Sequence, residues 1–236
     1  MMANLIDLKN LQFAWPKQAT LLDIAEFTLG YNEKLFLKGP SGSGKTTLLS
    51  LLGGVLKANK GIIQLLGQDL SMLSSGARDQ FRVEHIGYIF QQFNLLPFLS
   101  VEENVLLPCH FSKRRTQVAN EHFGSIQQAA KSLLTDLGLD KTLFLRRADQ
   151  LSIGQQQRVA AARALIGSPE LIIADEPTSA LDTDTRESFI KLLFNECDKT
   201  GSSLLFVSHD QTLTPLFDRC LSLPDLNQTS QGKDTV

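Results

Sequence analysis

The chain carries a glycine-rich motif that could bind a polyphosphate. Residues 39–46 read Gly-Pro-Ser-Gly-Ser-Gly-Lys-Thr and fit the pattern G-x-x-x-x-G-K-[ST]. Backbone N–H groups can wrap a phosphate only where the chain approaches closely, which Gly42 and Gly44 permit because they lack a Cβ. Lys45 would reach the β- and γ-phosphates, and the Thr46 hydroxyl would bind Mg²⁺. The motif predicts nucleoside triphosphate binding, without separating an ATPase from a GTPase, a nucleotide kinase or a motor.

A pair of carboxylates forms the second candidate for chemistry. Asp175 and Glu176 follow residues 171–174, an apolar run of the kind buried on both faces of a parallel sheet. In phosphoryl-transfer enzymes a carboxylate at such a strand end holds Mg²⁺, and the next one can orient the attacking water. Asp175 is therefore predicted as the metal-side acid and Glu176 as the general base. Two solvated acids at a strand end are the alternative interpretation.

A third segment could bind an anion through the start of a helix. Residues 151–160 read Leu-Ser-Ile-Gly-Gln-Gln-Gln-Arg-Val-Ala, with Ser152 at an N-cap position and a helical pattern that extends to Gly167. A serine and a backbone amide at a helix start form an anion site. Taken alone, the segment predicts only a well-capped helix.

The elements that position these groups follow from hydrophobic patterns. Residues 35–37 predict a strand before the glycine motif and residues 46–56 a helix after it, so a chance glycine-rich turn is disfavoured. Residues 183–199 predict a helix of crossover length. Further strands are predicted over residues 61–66, 86–90, 171–174 and 204–207.

Two additions to this α/β pattern are predicted. Residues 5–37 alternate polar and apolar types with a break at Gly30. This pattern predicts antiparallel strands with one face exposed to solvent. Between residues 100 and 167 the pattern changes to helical periods. One of these helices is predicted over residues 117–137, with Gly138 as its C-terminal stop. An inserted helical lobe is therefore expected.

The composition is that of an ordinary globular protein, with 236 residues, 42% hydrophobic content and a formal net charge of −2. Because acidic and basic residues are mixed along the chain, no nucleic-acid partner is predicted. The three cysteines are far apart, which indicates neither a zinc site nor a disulfide framework but reduced thiols. No apolar stretch approaches the ~20 residues that cross a bilayer. Residues 225–236 are polar and expected to fray.

Taken together, these motifs resemble those of ABC-type ATPases. The family signature is matched by the glycine motif, by the segment that begins at Leu151, and by Asp-Glu-Pro-Thr-Ser-Ala-Leu-Asp over residues 175–182. The resemblance extends from about residue 5 to about residue 223 in the right order and spacing, and is far more specific than a lone glycine motif. It implies an ATPase that uses ATP and Mg²⁺.

The resemblance also implies the fold class. An α/β fold is expected, with a P-loop NTPase (RecA-like) core, an N-terminal antiparallel β-layer and an inserted helical lobe. The whole chain, residues 1–236, would form a single ABC ATPase domain. Its α/β core would comprise residues 1–90 and 168–236, and the helical lobe residues 91–167.

Individual roles can be carried over where residues match. Trp15 stands where the family places an aromatic ring that stacks on adenine, and packing at a strand end is the alternative. Gln91, after the strand predicted over residues 86–90, matches the Q-loop glutamine that approaches Mg²⁺ and couples the lobes. A shift of the match by one residue would assign this role to Gln92 instead. His209 matches the switch histidine that contacts the γ-phosphate.

The implied site residues fall into three groups. The catalytic residues are Glu176, His209 and Gln91. The metal-binding residues are Thr46, Gln91 and Asp175. The nucleotide-binding residues are Trp15, Gly39, Pro40, Ser41, Gly42, Ser43, Gly44, Lys45, Thr46, Thr47, Ser152, Gly154, Gln155 and Asp182.

One position departs from the family signature. The usual Leu-Ser-Gly-Gly-Gln is here Leu-Ser-Ile-Gly-Gln, with Ile153 in place of the first glycine. A β-branched residue does not readily adopt φ > 0 and would bring its side chain close to the phosphate face. Because Ser152 and Gly154 are kept, the segment is expected to function.

The resemblance implies partners as well. In a head-to-tail homodimer, ATP would lie between the phosphate loop of one subunit and Ser152 and Gly154 of the other, with Asp182 carrying information between the two sites. Closure on ATP and opening after hydrolysis would drive a transmembrane permease subunit. The chain is then expected at the cytoplasmic face of the inner membrane, held there peripherally by that partner.

Residues 90–105 indicate a branch of the family. They are similar to the lipoprotein-release and macrolide-export group, in which a cytoplasmic helix of the partner docks beside the Q-loop. Exposed side chains among Phe93, Leu95, Leu96 and Phe98 would form part of that groove, and filling the core of the helical lobe is the alternative. A non-transport ABC ATPase that regulates a membrane complex in cell-wall or division signalling is a second candidate function. A DNA-repair or translation ATPase is disfavoured, since neither a long coiled-coil insertion nor a second cassette fits in the chain.

Overall fold

The computed structural model describes residues 4–231, whose contacts group into two units. The first contains residues 4–82 and 205–231, and the second residues 83–204. Two elements, α2 (Ser75–His85) and β8 (Ser203–Ser208), begin in one unit and end in the other. The division into a core of residues 1–90 and 168–236 and a lobe of residues 91–167 stays a prediction.

The first unit begins with the predicted antiparallel layer. Strand β1 (Asn4–Ala14) pairs antiparallel with β2 (Thr20–Gly30) and with β4 (Lys60–Leu65). A short strand, β5 (Gln68–Asp69), extends the sheet in the order β2-β1-β4-β5. The apolar side chains of β1 and β2 are buried while polar ones between them reach solvent, so the predicted layer is confirmed.

The phosphate-binding motif of the first unit lies between a buried strand and a helix. Strand β3 (Lys34–Lys38) pairs parallel with β9 (Arg219–Ser222) and is followed by α1 (Lys45–Leu52). The Phe36 ring, fully buried, stacks on Phe206 with ring centroids 6.0 Å apart. The predicted strand–loop–helix arrangement is therefore confirmed, although the helix ends at Leu52, before residue 56.

The carboxyl-terminal segment of the first unit corrects an expectation. Residues 225–231 do not fray, because the chain forms α8 (Leu223–Leu226) and α9 (Gln228–Gln231). Between them Asn227 is buried and bridges to Ile24 of β2. A polar residue can hold a terminal segment in place when its amide replaces missing strand hydrogen bonds. Residues 232–236 lie outside the described residues.

The second unit combines a parallel strand pair with helices. Strand β6 (Ile86–Ile89) pairs parallel with β7 (Leu171–Asp175), with Ile89 opposite Ala174. The helices wholly within it are α3 (Val101–Phe111), α4 (Lys113–Phe123), α5 (Ile126–Asp136), α6 (Ile153–Leu165) and α7 (Thr183–Thr200). Over the described part of the chain, single turns of 3₁₀ helix occur at Leu70–Met72, Lys141–Leu143 and Ala148–Gln150, with a longer one at Gln211–Leu216. Among residues 4–231, none of the helices has the length and apolarity to cross a bilayer.

The single helix predicted over residues 117–137 is wrong. Gly124 has φ = 80° and ends α4, and the Ser125 side chain accepts a hydrogen bond from Gln128 N at the start of α5. A left-handed glycine followed by a serine N-cap breaks a helix even where the apolar period continues. Gly138, with φ = 76°, does follow the end of α5 as predicted.

A buried arginine connects three elements of the second unit. The Arg115 side chain is 1% exposed and donates to the carbonyl oxygens of Ala164 (3.1 Å), Ile166 (3.0 Å) and Ile86 (2.6 Å). Burial lowers the pKa of Arg115 to about 10, which leaves the guanidinium charged at neutral pH. It therefore fixes α4 to the start of β6 and the end of α6 through charge-assisted hydrogen bonds.

Replacing this arginine is expected to destabilise the protein. Arg115→Ala leaves three buried carbonyls without their charged donor and opens a cavity, so the free energy of unfolding should fall by about 3–5 kcal/mol. Urea unfolding followed by far-UV circular dichroism measures it. As a control, Arg147→Ala removes an exposed ion pair with Asp149 and should cost less than about 1 kcal/mol. Equal costs for the two variants would contradict the connecting role.

Candidate functional site

The glycine motif forms a loop that leads into a helix without a side-chain cap. Gly42 and Gly44 have φ values of 79° and 97°, in the region that favours glycine. Gly44 is the N-cap of α1, and no side chain of the described residues caps that helix end. The amides of its first turn are therefore directed out of the helix, where the positive end of the helix dipole favours an anion.

Two side chains complete this loop. Lys45 Nζ donates to the carbonyl oxygens of Gly39 (2.7 Å) and Pro40 (3.0 Å), which holds the ammonium against the loop. The Ser43 hydroxyl is buried and has no hydrogen-bond partner among the described residues. A buried hydroxyl without a partner is costly unless a ligand accepts from it. Phosphate oxygens fit this donor set, so the loop suits a polyphosphate.

The remaining loop residues lie at its rim. Ser41 and Thr46 are exposed, and Thr47 is half-buried. The Thr46 backbone oxygen accepts from Ser50 Oγ at 2.7 Å within α1. The Thr46 side chain is therefore at the solvent-facing start of the helix, the position from which a hydroxyl could bind a metal held by phosphates.

The carboxylate pair stands at the end of β7 as predicted. Asp175 is the last residue of the strand, and Glu176 follows with φ = 47° and a side chain 8% exposed. Burial first, and then the Asp175 charge, raises the pKa of Tyr88 on the neighbouring strand. A non-glycine residue with positive φ is strained and persists where its surroundings fix it, as often occurs at functional sites.

Gln91 lies at the same edge of the strand pair as the carboxylates. Because β6 and β7 are parallel with Ile89 opposite Ala174, residues that follow Ile89 leave the sheet beside those that follow Ala174. Gln91 is exposed, two residues after the end of β6. The structure of the second unit thus brings Gln91 to the strand ends that carry Asp175 and Glu176.

The predicted N-cap at Ser152 is confirmed. Its hydroxyl accepts from Gln155 N at 3.3 Å, and Gln155 Oε1 accepts from Ser152 N at 2.9 Å, which is a capping box. Ile153 is the first residue of α6 and is not among the residues with positive φ. Its side chain is 53% exposed. The expected backbone conflict at Ile153 is therefore absent, since the first helical position needs no positive φ, while the closeness of its side chain to the phosphate face stays a prediction.

Two further site residues occupy helix ends of the second unit. Gly154 follows Ile153, and a methyl group added there would lie 3.9 Å from Leu181 Cδ2. Asp182 is the N-cap of α7, where its carboxylate accepts from Thr185 N (3.0 Å) and Thr185 Oγ1 (2.9 Å). The start of α6 and the turn before α7 are thus neighbours in this unit.

Sequence reasoning missed a residue that joins α6 to the segment that follows β7. Gln157 is 1% exposed, and its Nε2 donates to the carbonyl oxygen of Pro177 at 2.8 Å. Pro177 directly follows Glu176, so this hydrogen bond fixes the backbone after the strained residue. The available signal was a glutamine one turn before Ala161 on the apolar face of a helix.

Two other residues that the sequence reasoning missed shape the loop after Gln91. Asn104 is fully buried, accepts from Leu96 N (2.8 Å) and donates to Leu96 O (3.0 Å). Arg163 donates to the carbonyl oxygens of Phe93 and Asn94, both of which have positive φ. Polar side chains therefore hold this loop in a conformation that its own backbone disfavours.

The apolar residues of the same loop divide between the two predicted roles. Phe93 is buried, as the core alternative predicted, and Leu95 is half-buried. Leu96 and Phe98 are 37% and 65% exposed. The predicted apolar surface beside Gln91 therefore consists mainly of Leu96 and Phe98.

Trp15 and His209 belong to the first unit with the phosphate loop. Trp15 is 40% exposed and packs edge-on against Phe13, with ring centroids 5.1 Å apart. One ring face is thus not committed to this contact, and adenine stacking stays a prediction. His209 follows β8 and is exposed. Gln91, Ser152, Gly154, Gln155, Asp175, Glu176 and Asp182 belong to the second unit.

Known proteins are similar to this chain over most of its length. The profile of a family described as "ABC transporter" matches residues 22–179. The ATP-binding protein YbbA of Escherichia coli K12, named there an uncharacterized ABC transporter protein, is 40% identical over 206 residues, which are 87% of each chain. The lipoprotein-releasing system ATP-binding protein LolD of Anaeromyxobacter dehalogenans is 38% identical, covering 93% of this chain and 89% of LolD.

A longer relative and a solved structure extend the comparison. The macrolide export ATP-binding/permease protein MacB of Shigella flexneri is 36% identical over 95% of this chain, which spans 34% of MacB. The ATP-binding cassette MJ0796 is 33% identical with a TM-score of 0.80, covering 92% of this chain and 93% of the other. That structure is a dimer in a post-hydrolysis state, bound to ADP and phosphate.

The two left-handed glycines of the loop allow a matched test. A methyl group added at Gly44 would lie 2.9 Å from Cδ2 of buried Leu22, whereas one added at Gly42 has no atom within 4 Å. Gly42→Ala should cost about 1 kcal/mol of unfolding free energy from backbone strain alone. Gly44→Ala should cost about 1–2 kcal/mol more because of overpacking. Urea unfolding measures both, and equal costs would contradict the packing role of Leu22.

Proposed function

Because the chain belongs to the ABC transporter family of ATP-binding cassettes, we propose that it hydrolyses ATP to drive a membrane partner. The observation that carries the proposal is the phosphate loop, where the start of α1 has no side-chain cap and the buried Ser43 hydroxyl has no hydrogen-bond partner among the described residues. Lys45 adds a positive charge there. In this role the β- and γ-phosphates lie on the loop, and the exposed face of Trp15 stacks on adenine.

A divalent cation fits the residues assigned to it. The Thr46 hydroxyl, the Asp175 carboxylate and the Gln91 amide oxygen are the hard oxygen donors that Mg²⁺ prefers. When bound, Mg²⁺ neutralises the charge that develops on the phosphate oxygens. Asp175 is the strand-end carboxylate of this set, which leaves Glu176 for the attacking water.

The hydrolytic step depends on Glu176. Its carboxylate accepts a proton from a water molecule, the water oxygen bonds to the γ-phosphorus, and the bond to the bridging oxygen breaks to give ADP and phosphate. His209 contacts the γ-phosphate and stabilises its charge. The hydrogen bond from Gln157 to Pro177 keeps the Glu176 backbone in its strained conformation.

A homodimer completes the proposed site. Ser152, Gly154 and Gln155 at the start of α6 face the γ-phosphate held by the other subunit, so that ATP closes the dimer and hydrolysis releases it. Asp182, the N-cap of α7, lies near this segment in its own subunit and couples the two sites. The dimeric state of the related cassette supports this arrangement.

The membrane partner is proposed to dock on the surface formed by Leu96 and Phe98. Both side chains are exposed on a loop that Asn104 and Arg163 hold in place, and Gln91 lies at the start of that loop. The names of the relatives, a lipoprotein-releasing system and a macrolide exporter, support a partner of the same kind. The chain then lies at the cytoplasmic face of the membrane.

Substitution of the proposed base tests the hydrolytic mechanism. Glu176→Gln keeps the shape of the side chain but cannot accept the proton, so phosphate release should fall by about 10²- to 10⁴-fold. The variant should form a dimer in MgATP, measured by analytical ultracentrifugation. Glu187→Gln, which alters an exposed pair with Lys191 on α7, should behave as wild type. A Glu176→Gln protein that stays monomeric in saturating MgATP, or turns over normally, would sink the mechanism.

Recovery of the partner tests the transport role. We expect tagged Glu176→Gln protein with MgATP to retain a membrane subunit that has a large extracytoplasmic domain, identified by mass spectrometry after capture from solubilised native membranes. Adding Phe98→Ser should abolish recovery, since it removes the most exposed side chain of the docking surface. Adding Phe123→Ser, on the exposed side of α4, should not. Recovery of soluble factors alone would exclude the transporter assignment, and a division or cell-wall complex would favour the regulatory alternative.

A further inference from the structure

Residues 223–231, here called the C-terminal strap, leave the sheet beside the phosphate loop. Strands β3 and β9 are parallel with Lys38 opposite Ser222, so the chain enters the loop at Gly39 where it enters the strap at Leu223. A methyl group added at Gly39 would lie 3.5 Å from Leu223 Cβ, which is van der Waals distance. Leu223 is fully buried. The strap therefore packs directly against the first residue of the loop.

Farther along, the Asn227 side chain fastens the strap to β2. Asn227 Oδ1 accepts from Asp23 N at 2.8 Å, and Nδ2 donates to Leu21 O at 2.9 Å. The Asn227 backbone forms an antiparallel bridge with Ile24, and its side chain is 3% exposed. One amide thus satisfies both the donor and the acceptor that β2 presents at this edge.

The fastened part of β2 lies against the other end of the phosphate loop. A methyl group added at Gly44 would meet Leu22 Cδ2 at 2.9 Å and Leu21 Cγ at 3.7 Å. Asn227 contacts Leu21, Asp23 and Ile24, and Leu22 lies between the first two of these. The strap therefore packs against Gly39 directly and against Gly44 through β2.

We propose that the C-terminal strap positions the phosphate loop for nucleotide binding and that Asn227 is a positioning residue. The inference rests on the proposed function, because the loop is taken to bind ATP. Backbone amides bind phosphate best when they are held in place beforehand, since ordering them on binding costs free energy. Loss of the Asn227 hydrogen bonds lets β2 and the strap separate. The loop then loses the packing contacts that hold it at Gly39 and Gly44. The strap carries none of the groups assigned to the hydrolytic step, so binding weakens while turnover at saturation is kept.

The test compares nucleotide affinity in two variants of the full chain. Asn227→Ala should weaken binding of the Mg²⁺ complex of a non-hydrolysable ATP analogue by about fivefold to tenfold, as loss of about one hydrogen bond predicts, measured by isothermal titration calorimetry. The KM for ATP should rise by the same factor with little change in kcat. Thr229→Ala lies on the same strap and removes only the 3.4 Å bond from Thr229 Oγ1 to Leu21 O, so it should bind within about twofold of wild type.

Amide hydrogen exchange without nucleotide separates positioning from simple stabilisation. In Asn227→Ala, residues 39–46 should exchange faster, while β6 and β7 should exchange as in wild type. If Asn227→Ala does not fold, the milder Asn227→Ser is measured instead. Unchanged affinity and unchanged exchange at residues 39–46, with only a lower unfolding midpoint, would overturn the proposal. If wild type fails to bind the analogue, the proposed function falls, and exchange at residues 39–46 still decides whether the strap positions the loop.

Discussion

The backbone at Gly44 is the constraint on which the first unit depends. The chain can enter α1 along this path only if the residue before the helix has φ near 97° and no side chain, because Leu22 fills the space where a Cβ would lie. This demand fixes where β2 must pass, since its buried leucine forms that wall. At the other end of the loop, the parallel pairing of β3 with β9 places the first glycine beside Leu223. The antiparallel layer is thus part of the wall of the phosphate loop.

In the second unit, buried polar side chains fix strand and helix ends and the irregular segments that follow them. Arg115 joins α4 to strand and helix ends, Asn104 holds the loop after Gln91, and Gln157 holds the turn after Glu176. Each donates hydrogen bonds to backbone carbonyl oxygens of another segment. Apolar packing could fill the same space but would not specify the orientation of a carbonyl. The hydrogen bonds of Asn104 and Gln157 therefore help to determine the geometry of the chain after the strands that precede the proposed catalytic groups.

Features with local signals were predictable from the sequence, whereas those that depend on distant contacts were not. The phosphate loop, the cap at Ser152 and the acidic strand end each combine special residue types with adjacent apolar runs, and their places in the fold are confirmed; the family resemblance is confirmed as well. The break at Gly124 was missed because the apolar period continues across it. Asn227 was missed because its partners lie more than 200 residues away in the chain, and a polar tail gives no local sign of being held.

The left-handed backbone at Glu176 sets conformational stability against the proposed catalytic role at one position. With φ = 47°, the residue occupies a region that glycine and asparagine adopt at lower cost, and strain of this kind is worth about 1–3 kcal/mol. A library of this chain selected only for resistance to heat should therefore enrich glycine or asparagine at position 176. The selected variants would lack the proposed proton acceptor, so they would gain melting temperature and lose turnover. Retention of glutamate at position 176 would indicate selection for ATP hydrolysis rather than for thermal stability.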